Sequence, residues 1–137
     1  MLRYPAFTET DAAGALRAEI SSARPDLVAI GANVMFTQRP DGTLIVGDSH
    51  RYGKTVGPFQ KEAASDILLR EVAQLLGVSE LRVLERWQGS YASSAQQPFL
   101  IEDVAPGVTV AIVTSGVGMT ISFGLAEKTF ASIGAVA

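Results

Sequence analysis

Three polar segments of this chain hold residue types that can do chemistry. The first is Asp48-Ser49-His50-Arg51-Tyr52-Gly53. A histidine between an acid and a cation can carry a proton. The same composition also makes an ordinary solvated loop. The second is Glu85-Arg86-Trp87-Gln88-Gly89-Ser90-Tyr91-Ala92-Ser93. Here Trp87 is expected in the core, and Arg86 is expected to pair with Glu85 or Glu102. The polar tail around Gln88 and Tyr91 is a candidate pocket lining. The third is Ser115-Gly116-Val117-Gly118-Met119-Thr120, between an apolar strand and a helix. Its glycines let a backbone approach a ligand closely, and the first helical N–H groups favour negative charge there. A tight strand-to-helix turn that merely needs glycine fits the same residues.

Several chemistries are excluded. Gly116 and Gly118 do not continue into a Gly-x-Gly-x-x-Gly dinucleotide run, and no Gly-Lys-Ser/Thr phosphate loop follows. No Gly-x-Ser-x-Gly elbow exists, and the single His50 would have to serve every base role. No side chain is therefore assigned a catalytic role. With no cysteine and one histidine, no metal site is expected.

The elements that must position these segments follow from periodicity and turn chemistry. Residues 2–7 suggest a short strand, with Pro5 restricting it to an edge or end. Thr8-Glu9-Thr10-Asp11 reads as a helix start, with the helix running to about Ser22 and Leu16 and Ile20 inward. Residues 27–32 carry no clear period. Asn33 to Arg39 and Thr43 to Asp48 flank Pro40-Asp41-Gly42, which predicts a β-hairpin. A second helix is expected from Pro58 to about Leu76, with Ala63, Ile67, Leu68, Val72, Leu75 and Leu76 on one face and Gly77 as its stop.

Leu81 to Gln88 alternates like a strand, and Phe99-Leu100-Ile101 suggests another. Pro106-Gly107 predicts a turn. Val108–Val113 is apolar on both faces, which predicts a central or helix-covered strand. A last helix is expected from near Thr120 to about Phe130. The order is β-α-ββ-α-β-β-β-α. It predicts an α+β fold over residues 1–137 as a single domain: a mixed, mainly antiparallel sheet with helices packed against it.

Composition sets the bounds. Of 137 residues, 47% are apolar and 18% charged, enough to expect a folded core. Net charge is −3, and no basic stripe exists, so nucleic acid is not an expected partner. No apolar run approaches the ~20 residues of a membrane helix. The N-terminal residues lack a signal-peptide pattern, so the expected location is cytoplasmic.

In order along the chain stand Thr37-Gln38-Arg39-Pro40-Asp41-Gly42 with Leu44-Ile45-Val46-Gly47-Asp48, Leu84-Glu85-Arg86-Trp87-Gln88-Gly89, and Thr114 to Thr120 with Phe123-Gly124-Leu125-Ala126-Glu127. With these segments the chain resembles the C-terminal part of FAD-dependent oxidoreductases of the D-amino-acid oxidase/glycine oxidase superfamily. The likeness is closest to a subgroup associated with aminophosphonate breakdown, and it covers nearly the whole chain from Arg3 onward. The resemblance implies that Ser115, Gly116, Val117, Gly118, Met119 and Thr120 meet the flavin. It implies that His50, Arg51, Tyr52, Arg86, Gln88 and Tyr91 lie near the substrate. It further implies a small-molecule amine as substrate and FAD as cofactor of the complete enzyme.

Two departures qualify the likeness. Amino-acid oxidases usually carry an arginine two residues after the strand-end glycine, where it clamps the substrate carboxylate. This chain has Gly89-Ser90-Tyr91-Ala92 there. Arg51 or Arg86 is then the expected receiver of another anion, such as a phosphonate. The family's Gly-x-Gly-x-x-Gly half is also missing from this sequence. The chain is thus expected to be a fragment, a truncated product or one half of a split enzyme. Alone it is expected neither to retain FAD nor to turn over. The rival expectation is a non-catalytic domain that forms a homo-oligomer or binds a partner, including an FAD-binding half in trans. A small anion-binding domain built on the Gly116–Gly118 turn is a weaker third.

Overall fold

The computed structural model describes Thr8 and residues 10–134. The expected strand at residues 2–7 and Glu9 lie outside them. The chain divides into two compact units, Met1–Trp87 and Gln88–Ala137.

The first unit begins with helix α1 (Asp11–Ala23), capped by Thr10, whose hydroxyl accepts from the Ala13 N–H at 3.2 Å. That bond satisfies one of the donors a helix start leaves unpaired. Arg24 breaks the helix, and α2 (Pro25–Ala29) follows with proline in its first turn. The Arg24 guanidinium grips Asp26 at 3.1 Å and also bonds Glu71. Arg24 thereby holds the Asp26 carboxyl below the usual range. Strands β1 (Met35–Gln38) and β2 (Leu44–Gly47) pair antiparallel, Phe36 opposite Val46. At their turn Gly42 takes φ +85°, and the Asp41 carboxylate accepts from the Thr43 hydroxyl and N–H. Those bonds hold the Asp41 pKa down.

Helix α3 (Glu62–Leu76) completes this unit and stops at Gly77, which takes φ +69° as a left-handed cap. It begins four residues later than expected, with Lys61 at the cap position and no side-chain cap bond. Among the described residues Ala13, Leu68, Val72 and Ala73 are the buried apolar ones, and Val72 is 0% exposed. Three of these four sit on α3, so its inner face carries the core. Four inward expectations fail: Leu16, Ala63, Leu75 and Leu76 are exposed. They stand at helical spacing from the buried residues, on the same face, but this small core does not extend over them.

The expected strand at Leu81–Gln88 does not form. Among the described residues no strand lies beside it, and alternation alone cannot satisfy a backbone that lacks a partner ladder. Leu84 and Trp87 are exposed accordingly, so Trp87 is not in a core.

The second unit is a hairpin and a helix. Strands β3 (Phe99–Ala105) and β4 (Val108–Val113) pair antiparallel, with an irregularity between Asp103 and Ala105. Gly107 turns the hairpin at φ +74°. Helix α4 (Gly118–Ser132) packs against β4. Fold class is α+β, as expected. The strands divide between two two-stranded antiparallel sheets, so β4 has β3 as its strand neighbour and is not central.

The burial pattern yields a stability contrast. Leu68→Ala is expected to cost about 2–4 kcal/mol in urea unfolding of the chain. Leu75→Ala on the same helix is expected to cost less than about 0.5 kcal/mol.

Candidate functional site

The site candidates fall in both units. In the second, β4 delivers the chain to Thr114, and the direction then reverses into α4. Thr114 N–H donates to the Pro98 carbonyl at 2.9 Å, and the Thr114 carbonyl accepts from Ser94 N–H at 2.9 Å. The Thr114 hydroxyl donates to the Gln97 carbonyl. The Ser115 hydroxyl donates to Pro98 O at 2.9 Å. The polar loop before β3 is thus stitched to the turn after β4.

Gly116 sits at the crest with φ +75°, a conformation that glycine takes without strain. A β-carbon there would stand 3.2 Å from the Tyr91 ring and hydroxyl oxygen. The bare face of the glycine is where Tyr91 rests. The structure therefore brings one substrate-side candidate, Tyr91, against one flavin-side candidate, Gly116. Tyr91 is half exposed, and Gln88 is exposed at the start of the same segment.

Val117 is the cap residue of α4, and no side chain caps the helix start. No acid stands in the first turn. The positive end of the helix dipole therefore faces out uncompensated by side chains. Helix α4 starts at Gly118, two residues earlier than expected. Met119 is 95% exposed in its first turn. Val117 and Thr120 also line an open cleft of about 390 Å³, together with Phe99, Ile121, Gly124 and Lys128.

In the first unit, His50 is tied at both ring nitrogens. Its Nδ1 lies 3.1 Å from the Gly31 carbonyl and its Nε2 3.2 Å from the Asp48 carboxylate. Gly31 takes φ +58°, and a β-carbon there would lie 3.0 Å from His50 O. His50 thus pins its loop to the Gly31 turn. Arg51 and Tyr52 beside it are exposed, and Arg51 has no ion pair among the described residues. Arg86 pairs with Glu62 at 3.2 Å, not with Glu85 or Glu102.

Sequence reasoning missed three of these positions. Thr114 was visible only as the polar step that ends an apolar strand. Gly31 stood in a stretch without a period, and Glu62 opened a helix whose start was misplaced. No group of three His, Cys, Asp or Glu side chains suited to a metal exists among the described residues. No described helix is long and apolar enough to cross a membrane.

With this geometry in view, a family model described as FAD dependent oxidoreductase (DAO) matches residues 6–131. The chain belongs to this family of FAD-dependent oxidoreductases. No curated protein and no solved structure matches it. Membership brings FAD and a small-molecule substrate as the family's chemistry.

Two glycines of the second unit separate turn from helix. Gly116→Ala is expected to destabilise the chain by about 1–2 kcal/mol, since it forces a left-handed alanine against Tyr91. Gly124→Ala, inside α4 with nothing within 4 Å of its β-carbon, is expected to stabilise it by up to about 1 kcal/mol. Thermal unfolding of both variants checks the pair.

Proposed function

We propose that residues 1–137 are the substrate-side and flavin-closing portion of an FAD-dependent amine oxidoreductase, equivalent to the C-terminal part of the D-amino-acid oxidase-like enzymes. The observation that carries this reading is the Gly116 turn. It joins Tyr91 to the uncapped start of α4, inside a chain that matches the family over residues 6–131. When bound, FAD supplies the redox step: a hydride leaves a C–H beside an amine for flavin N5, and the resulting imine hydrolyses.

The residues of this chain fit the redox end of that cofactor. Gly116 to Thr120 offer a backbone approach, with Ser115 hydrogen-bonded to Pro98 behind it. The α4 N-terminus favours negative charge at the flavin edge. The pyrophosphate end finds no glycine-rich run here. That end is assigned to the FAD-binding half of the complete enzyme.

Within the first unit, Arg51 is assigned to the anionic group of the substrate. Its guanidinium is uncommitted to an acid among the described residues, whereas Arg86 is held by Glu62. A phosphonate suits a guanidinium fork, which makes an aminophosphonate the proposed substrate. His50 anchors the Arg51 loop through Gly31.

A titration of the purified chain with FAD tests this reading. The chain alone is expected to give no stoichiometric, structured flavin spectrum. Addition of an FAD-binding half is expected to produce one, with turnover of an aminophosphonate. Arg51→Met in that assembly is expected to raise KM roughly tenfold or more, the loss of a charge-assisted bond. No structured spectrum from the combined halves would sink the proposal.

A second reading has its own support. Helix α4 carries Met119, 95% exposed, and Phe123, 90% exposed, one turn apart on one face, with exposed Phe130 further along it. An apolar face of this kind suits a self-associating or partner-binding domain. Sedimentation of the chain decides: concentration-dependent association, reversed by Met119→Ser with Phe123→Ser, supports it. A clean monomer at all concentrations rejects self-association.

A further inference from the structure

Among the described residues one polar side chain is buried, and it is Thr114, 9% exposed. Its three polar groups all engage one segment. The N–H bonds Pro98 O, the carbonyl bonds Ser94 N, and the hydroxyl bonds Gln97 O. A buried hydroxyl is retained at no loss only where it has such a partner. Valine has the same shape without the hydroxyl, so the shape alone does not call for threonine.

The two ends of this latch are the candidates that meet. Tyr91 stands three residues before Ser94, and Gly116 stands two residues after Thr114. The Tyr91 ring lies over Gly116 while half exposed. Pairing of β3 with β4 begins only at Phe99 opposite Val113. The loop ahead of β3 is therefore outside the ladder, and the bonds to Thr114 extend order into it.

We propose that Thr114 is a positioning residue that holds Tyr91 over the Gly116 turn, so that loop and turn are one rigid piece before any ligand arrives. What the two segments serve rests on the proposed function; their coupling does not. Thr114 reaches no ligand and acts through Tyr91. Its hydroxyl is the part that valine cannot supply. Thr114→Val leaves Gln97 O without its donor and loosens the loop, while the two backbone bonds of residue 114 and the β3–β4 ladder remain.

Solution NMR of the full chain tests the coupling. The Tyr91 ring current displaces the Gly116 proton resonances, and Tyr91→Leu calibrates that displacement by removing it. Thr114→Val is expected to reduce the displacement and to speed amide exchange at Ser94 roughly tenfold, the loss of one ordinary hydrogen bond. Thr114→Ser, which keeps the hydroxyl, is expected to restore both. Cross-strand contacts between Leu100 and Ile112 are expected unchanged throughout. A folded Thr114→Val chain with the Gly116 displacement and Ser94 protection intact would overturn the proposal. Should Thr114→Val fail to fold, Ser94→Pro removes the N–H that bonds Thr114 O from the loop side. An unchanged Gly116 displacement in that variant overturns the proposal as well. Failure of every variant to bind FAD alongside an FAD-binding half would count against the proposed function and leave the NMR result standing.

Discussion

The second unit is organised by the hydrogen bonds of Thr114 more than by apolar burial. Among the described residues, none of the buried apolar ones belongs to that unit; all four lie in the first. A hairpin, a loop and a helix with so little apolar burial among their described residues would ordinarily fray against one another. Here the end of β4 is tied to the loop before β3 by backbone and hydroxyl bonds, and Gly116 reverses the chain directly beyond them. The start of α4 and the place of Tyr91 follow from that junction.

The first unit solves its assembly differently. One face of α3 supplies most of the buried apolar surface. Arg24, between α1 and α2, reaches both Asp26 and Glu71, which fastens the short second helix to α3. His50 plays a similar part for the polar loop, spanning to Gly31 and Asp48. Polar side chains thus fix the connections in both units. This is consistent with functional segments that lie in loops held by short elements. The outer face of α4 stays apolar and exposed, and this property separates the two functional readings.

Much of the local structure was legible because its causes are local. A hydroxyl cap within Thr8-Glu9-Thr10-Asp11, Pro40-Asp41-Gly42 as a turn, Gly77 as a stop and Pro106-Gly107 as a turn all act within a few residues. Each appears where its chemistry predicts. The segment at Leu81–Gln88 shows the opposite case. Its alternation is real, but a strand needs a neighbour, and no local signal reports whether one exists. Burial of Leu16, Ala63, Leu75, Leu76 and Trp87 failed for the same reason. Periodicity names a face and says nothing of what covers it.

The candidate site divides along the same line. Glycine at 116 and the helix behind it were evident from residue types, because positive φ and helix initiation are backbone properties of the residues themselves. The family match rests on that same sequence. Only the tertiary structure decided that Tyr91 lies on Gly116, that Thr114 links the two segments, and that Glu62 takes Arg86. These pairings join residues far apart along the chain, and their energy exists only once folding has brought them within bonding distance. Sequence alone determined which backbone shapes were possible; tertiary contact determined which polar groups those shapes would satisfy.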